Sequence, residues 1–281
     1  MKYHVVIVKP ADNPHAEAYR EIAETLMFGL RGLGHEATIA TNVFGPSDGL
    51  NILLCAHLLR PEQVAQVPAN TVIYNLEQAA AGSPWMLGAL PRMVDRFEVW
   101  DYSVDNIRRF KALGLGTRFF HLPVGWVPEL GRIASVADQD IDILFYGSMN
   151  QRRRHVLDSL HAAGLKVVWC YGVYGAERDA AIARSKVVLN VHFYIEPVFE
   201  IVRVSYLMAN RKAVVTEDGA DVEPRLLPGL AVTSYTQLVD CCCELAADAH
   251  VRRGLEEAGF TAFSGLKATE FLSRVLDLRA G

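Results

Sequence analysis

Short apolar runs alternate along this chain with longer stretches in which apolar residues recur every three or four positions. In the first half, strands are predicted at 3–9, 35–40, 51–55, 71–75, 97–100 and 118–122. The first is apolar throughout, as a strand buried on both faces should be. Between the first two runs, Tyr19, Ile22, Ala23, Leu26, Leu30 and Leu33 form one stripe of a helix over 15–33, closed by Gly32 and Gly34. Ser103 is placed to cap a helix over 104–113. Residues 126–139, with Pro128 and Gly131, suit neither element and read as a linker. Beyond them the alternation resumes. A strand within 140–148 leads to a helix ending near 163, then a strand at 166–170, a helix over 176–185 and a strand at 186–191. A helix over 199–210, strands at 213–215 and 230–232, and helices over 235–247, 250–258 and 266–278 complete the chain. Strands alternating with helices predict parallel sheets, hence an α/β protein with two Rossmann-like domains at 1–136 and 137–281.

Composition narrows the class. A chain of 281 residues that is 51% hydrophobic and 21% charged can bury a core in each of two modest domains. A net charge of −4 weighs against holding nucleic acid by bulk electrostatics. No apolar run reaches the roughly 18 residues that span a bilayer. The start reads as a first strand, without a signal-peptide cleavage site. The five cysteines lack C-x-x-C spacing, and Cys241, Cys242 and Cys243 point in different directions on a helix, which suits a reducing cytoplasm. No G-x-G-x-x-G follows the first strand, which sets a dehydrogenase aside.

Parallel sheets bind ligands at the carboxyl ends of their strands, where helix N-termini attract anions. Two groups of polar residues fall there. His192, Glu196, Glu200 and Arg203 follow the strand at 186–191. Gly147, Ser148 and Arg152 follow the strand within 140–148, an arrangement that either cradles a phosphate or is a solvated basic helix start. Arg203 either reaches a phosphate or pairs with Glu200. In the first half, His57, Glu77 and Asp101 end successive strands along one rim, and Asn13 and His15 open the first long helix. Asp138, Asp140 and Asp142 have a D-x-D spacing that can present carboxylates to a metal, but Asp142 falls inside a strand, so no metal is expected.

Three segments carry a resemblance. They are DILFYGSMNQRRR from Asp142, GVYGAERDAAIARSKVVLNVHFY from Gly172 and FEIVRVSYLMANRKAVV from Phe199. Together they resemble the donor-binding half of GT-B glycosyltransferases, in particular small bacterial group-1-type members, over most of 140–217. Residues 203–215 run along the family pattern RVFEALACGTPVV, with Tyr206 where a glutamate usually holds the ribose hydroxyls and Glu200 as the nearest acidic substitute. Residues 1–139 resemble the family by fold pattern, with VIYNLEQ, VWDYS and the hinge-like LPVGW as supporting echoes.

The resemblance implies a cleft between the two domains, C-terminal helices of which the last returns toward the first domain, and metal-independent transfer of a sugar from a nucleotide sugar. No cofactor beyond that donor is implied. The acceptor hydroxyl is unidentified: on a glycan, a protein, a small molecule or a nucleic-acid base. Gly147, Ser148, Arg152, His192, Glu196, Glu200 and Arg203 would serve the donor, with Tyr171 and Tyr174 lining a base pocket or an ordinary glycine turn. His57, Glu77 and Asp101 would be the catalytic candidates on the acceptor side. Two other readings stay open. One is a catalytically inactive GT-B-like scaffold protein, favoured by Tyr206; the other is a nucleic-acid-base-modifying glycosyltransferase, for which the basic run Arg152 to Arg154 leaves room.

Overall fold

The computed structural model describes residues 1–79, 84–116, 118–193, 199–219 and 222–280. The chain divides into two compact units, Met1–Val127 with Lys267–Gly281, and Pro128–Leu266. The pattern of the sequence put this division at 136/137 and gave the whole C-terminus to the second unit. The structure moves it because the segment from Pro128 is tied to the second unit, Asn210 Oδ1 accepting from the backbone N–H groups of Arg132 (2.8 Å) and Ile133 (2.7 Å).

In the first unit β1 (Lys2–Ile7), β2 (Glu36–Thr41), β3 (Gly49–Leu54), β4 (Thr71–Asn75), β5 (Glu98–Asp101) and β6 (Phe119–His121) form one sheet in the order β2-β1-β3-β4-β5-β6. Every pairing is parallel. The expected first helix is two elements: a 3-10 turn, Pro14–Tyr19, and then α1 (Arg20–Gly32). Asn13 accepts from the His15 amide and Pro14 sits at the first position, which fixes a tight start. Two short helices, α2 (Leu90–Arg96) and α3 (Val104–Ala112), complete the wrapping, and Ser103 caps α3 through the Asn106 amide.

The C-terminal helix, Ala268–Ala280, belongs to this unit. Two glycines let it in. A Cβ at Gly29 would stand 2.6 Å from Leu272 Cδ1, and one at Gly125 would stand 2.5 Å from Ala268 Cα. The far end of the helix is tied down by Arg279 Nε donating to Glu98, 3.1 Å.

In the second unit β7 (Ile141–Tyr146), β8 (Val167–Cys170), β9 (Ser185–Asn190), β10 (Ala213–Glu217) and β11 (Ala231–Thr233) form a second parallel sheet in the order β11-β10-β9-β7-β8. Helices α4 (Gln151–Ala162), α5 (Gly175–Arg184), α6 (Ile201–Ala209), α7 (Leu238–Ala247) and α8 (Ala249–Ser264) connect and cover it. The core joins Ile143, Phe145, Val187, Leu189 and Val215 of the sheet to Val156 and Leu160 of α4 and to Leu238, Cys242 and Leu245 of α7. Cys242 is therefore a core residue. Where the pattern ends a helix at 258, α8 runs on to Ser264 through Gly259, because that bare position packs on Gly229, whose Cβ would lie 2.1 Å from Gly259 Cα.

Candidate functional site

In each sheet the chain reverses its direction of travel beside the first strand. The second sheet has its topological switch point between β7 and β9, so ligand-binding groups belong at the carboxyl ends of those two strands. Strand β7 runs out into Gly147, whose φ of 134° lies outside what residues with a Cβ adopt readily. A Cβ there would also stand 2.8 Å from Arg203 Nη2. From the edge strand β8, Trp169 Nε1 donates to the Gly147 carbonyl at 2.9 Å and holds the turn in place.

Behind this turn lies a buried set of ions. Asn150 caps α4 through the Arg153 amide, 2.9 Å, and the phase of the helix then carries Arg153 inward. Its guanidinium donates to the Val191 carbonyl (2.8 Å), the Ser148 carbonyl (2.8 Å) and Glu200 (3.0 Å). Arg203 donates to the other Glu200 oxygen at 2.7 Å and to Asn190. Burial pushes the Arg153 pKa down to about 10, although Glu200 opposes this. For Glu200, at the N-cap of α6, burial pushes the pKa up, but Arg203, His192 and Arg153 outweigh it and hold the carboxyl at about 2.

His192 is fully buried. Its backbone N–H donates to Glu217 at 3.2 Å and its Nε2 lies 3.0 Å from the Asp218 carbonyl oxygen. Its Nδ1 has no hydrogen-bond partner among the described residues and stands 3.9 Å from Glu200 Oε1. Arg203 Nε is likewise buried without a partner among them. Most buried polar atoms are bonded, so two open positions on either side of one carboxylate mark this place out.

The other residues expected at the donor are placed differently. Arg152, expected at the phosphate, is engaged internally. Both its terminal nitrogens bond Glu217, one also donates to the His192 carbonyl at 3.2 Å, and its guanidinium lies 4.0 Å from the centre of the Tyr235 ring. Ser148 is exposed beside Gly147. Tyr171 is 54% exposed and Trp169 43% exposed, with ring centres 6.1 Å apart, and Tyr174 sits half-buried at the N-cap of α5. Glu196 lies outside the described residues. Tyr206 turns away from any ligand role: its hydroxyl donates to Asp179 at 2.9 Å and accepts from Arg132 Nε at 3.1 Å.

In the first unit the rim brings two of the three expected residues together. His57 Nε2 is 3.4 Å from Glu77 Oε1, and the His57 ring packs against Trp85 with centres 4.6 Å apart. Tyr19 donates its hydroxyl to the same Glu77 oxygen. Burial lowers the His57 pKa and Glu77 opposes the shift; burial, with Glu77 nearby, raises that of Tyr19 well above the usual phenol value. Asp101 does not join this group. It is fully buried, with Oδ2 accepting from Asn75 (2.7 Å) and Asn106 (2.8 Å) and Oδ1 from the Ser103 amide (2.9 Å). Asn75 and Asn106 each also donate to the Glu77 carbonyl at 2.8 Å, so Asp101 anchors the segment that carries Glu77.

The D-x-D spacing is occupied by lysine and arginine. Asp140 pairs with Lys166 (2.7 Å) and Arg184 (2.6 Å), and Asp142 with Lys186 (2.6 Å), at the amino end of β7. Among the described residues no three His, Cys, Asp or Glu side chains gather to hold a metal, and no helix is long and apolar enough to cross a membrane. Sequence reasoning missed Arg153, Asn190, Glu217 and Tyr19. Arg153 was readable, since it shares a helical stripe with Val156, Leu157 and Leu160; Tyr19 lay on an apolar stripe that concealed its hydroxyl.

No protein-family model matches the chain. Among curated proteins it is 28% identical over 128 residues to uncharacterized protein L140 of Acanthamoeba polyphaga mimivirus, covering 44% of this chain and 40% of that protein. It is 26% identical over 166 residues to L137 of the same giant virus, covering 57% and 22%. The chain thus spans 40% or less of the length of these relatives, which are viral where the sequence resemblance was to bacterial proteins. Solved structures match along the full chain. Anabaena HepE in complex with UDP and glucose superposes with a TM-score of 0.64 at 12% identity, covering 99% of both chains. Sucrose-phosphate synthase from Thermosynechococcus elongatus gives 0.63 at 12%, covering 100% of both. AviGT4, a glycosyltransferase involved in avilamycin A biosynthesis, gives 0.61 at 15%, covering 99% of this chain and 96% of that one. The fold is that of the GT-B glycosyltransferases.

Proposed function

We propose that the protein is a glycosyltransferase that takes a sugar from a nucleotide-sugar donor held at the carboxyl rim of its second sheet. The observation that carries this reading is the open, buried Nε–H of Arg203 beside the side-chain-free Gly147, at a switch point, with helix N-termini on the same rim. A solved relative of the same fold holds UDP and glucose. During transfer the bond from the anomeric carbon to the diphosphate oxygen breaks, a bond to the acceptor oxygen forms and the acceptor proton leaves. Charge that develops on the departing diphosphate is stabilised by Arg203 and by the N-terminus of α4, without a metal. The first unit carries a proton-accepting candidate of its own in His57, with Glu77 beside it and Tyr19 fixing Glu77. The acceptor is a hydroxyl of unassigned source, and the cysteine usage suits a reducing cytoplasm.

Thermal shift and calorimetry with UDP, GDP, ADP and UDP-glucose test the reading. A ligand at a hundred times its Kd adds about 2.7 kcal/mol, which at roughly 2 °C per kcal/mol for a chain of this length is a shift of about 5 °C. Arg203→Ala should weaken nucleoside diphosphate binding about tenfold to a hundredfold, the worth of a hydrogen bond to a charged group. Failure of every nucleotide to bind would refute it.

A second reading keeps the fold and drops the chemistry. Tyr206, engaged with Asp179 and Arg132, supplies no carboxylate to a ribose, as a scaffold protein would allow. Release of UDP from UDP-glucose by the purified protein decides for the enzyme.

A further inference from the structure

The first sheet carries an unbalanced charge at its carboxyl rim. The Glu77 side chain is 16% exposed, and its Oε1 meets both the Tyr19 hydroxyl and, at 3.4 Å, His57 Nε2. A carboxylate only accepts, so Nε2 carries the ring proton. Glu77 Oε2 and His57 Nδ1 are then two acceptors without a hydrogen bond to any described residue, and neither is sealed from solvent. No positive charge stands with them. Burial holds the His57 pKa below the usual imidazole value, with Glu77 opposing, and Tyr19 is a neutral phenol. The basic side chains that follow β1 are held by Glu17, Lys9 at 2.7 Å and Arg20 at 3.6 Å. The residues outside the described ones include no lysine or arginine. In the second unit, by contrast, Glu200 and Glu217 are each met by a guanidinium. A largely buried carboxylate is expected to have a cation, and Glu77 lacks one among the described residues. Its surroundings are aromatic: the His57 ring lies 4.6 Å from that of Trp85 and 6.3 Å from that of Tyr19, centre to centre. Ring faces beside an anion suit an ammonium.

We propose that Glu77 Oε2 holds an ammonium group of the ligand bound at the first unit. Resting on the transferase reading above, that ligand is the acceptor, and it carries both an amine and the hydroxyl that is glycosylated. The ammonium is the handle, held by Glu77, while the hydroxyl gives its proton to His57 Nδ1. A positive charge beside the ring also keeps the imidazole unprotonated, as a base must be. The amine belongs either to an amino sugar or to a small amino alcohol, since both present an ammonium and a hydroxyl.

The test uses the whole chain in NMR titrations at about pH 7, where such amines are mostly protonated, with glucosamine, N-acetylglucosamine, glucose and ethanolamine as probes. Glucosamine should bind about tenfold to a hundredfold more tightly than N-acetylglucosamine or glucose, the worth of a hydrogen bond to a charged group. Glu77→Gln keeps the shape and removes the charge, so it should bring the three sugars to one affinity. Ethanolamine binding as tightly as glucosamine assigns the small amino alcohol; binding of glucosamine alone assigns the amino sugar. A second measurement does not depend on the variant folding. In the wild type the preference for glucosamine should vanish at about pH 9, where the amine has lost its proton. Equal affinities for the three sugars at about pH 7 overturn the proposal, and so does a preference that survives in Glu77→Gln or at about pH 9. Nucleotide binding with no preference for the amine sinks this inference alone. A preference for the amine in a protein that binds no nucleotide keeps the ammonium site and sinks the acceptor role together with the transferase reading.

Discussion

Glu200→Gln is the most informative single change in the second unit. Glu200 is the shared counter-ion of Arg153 and Arg203, with its side chain only 21% exposed. Its pKa is held at about 2 against an ordinary value of 4.5. Burial alone would raise it, so the depression measures how strongly the two guanidiniums and His192 favour the anion in the folded state. A difference of that size, at 1.36 kcal/mol per pKa unit, corresponds to about 3 kcal/mol of stability. Removing one partner of a buried pair costs about 3–5 kcal/mol, which agrees.

The sign follows from the direction. A folded-state pKa below the unfolded value means the stabilisation is fully present above about pH 4.5 and is lost as pH falls toward about 2. Glu200→Gln should therefore be less stable than the wild type by about 3 kcal/mol at pH 6, with the gap closing through that window. Urea unfolding at a series of pH values measures it, with hydrogen exchange on peptides from β7, β9 and α6 to isolate the second unit. A gap that stays constant from pH 6 to pH 3 would refute the linkage argument, and no gap at pH 6 would show that the ion set contributes nothing to folding.

Three further outcomes follow from the same geometry. Arg152→Ala should lower stability by about 3–5 kcal/mol by stranding Glu217, yet leave nucleotide affinity per folded molecule unchanged, as calorimetry beside a urea melt would reveal. Gly147→Ala meets both the positive φ and the 2.8 Å approach of Arg203, so it should cost about 1–3 kcal/mol and displace the guanidinium, seen as weaker UDP binding by calorimetry. Asp101→Asn sets an amide donor among three donors and should cost about 2–3 kcal/mol, with faster hydrogen exchange across 75–79 reporting the loosened Glu77 segment.

Much of the fold was legible because strand and helix periods differ and parallel strands are continuous apolar runs. β1, β3, β4, β7, β9 and β10 all stand near the positions the pattern gives. What was not legible depended on contacts distant in sequence. The family resemblance implied that the C-terminal helix returns to the first unit, but the periodicity of residues 266–278 does not say that it docks beside α1; that depends on Gly29 and Gly125 being bare where Leu272 and Ala268 arrive. Asp101 shows the same limit at the site. A carboxylate ending a strand on the ligand rim reads as chemistry, but three donors converge on it from Asn75, Ser103 and Asn106. Only the folded chain reveals that it is spoken for.

The three adjacent arginines of α4 show how a site is selected from a motif. A basic run after a glycine turn reads as one phosphate-binding patch, and Arg152 is the natural choice because it comes first. Helix geometry separates the three by about 100° each, the angle that 3.6 residues per turn imposes, so they cannot share one task. Arg152 is turned to the end of β10, where Glu217 takes it; Arg153 turns into the sheet, where the Val191 carbonyl and Glu200 take it; Arg154 is left exposed. The arginine with an unbonded N–H at the rim comes instead from the β9–β10 crossover. Arg203, in the first turn of α6, reaches back over Gly147, and Glu200 one turn earlier holds its Nη1 while its Nε stays open. A double-mutant cycle makes the division of labour measurable. Arg203→Ala should cost nucleotide affinity both alone and in the Arg152→Ala background, with the two effects on affinity additive. A large coupling between them would mean that Arg152 leaves Glu217 when the ligand arrives.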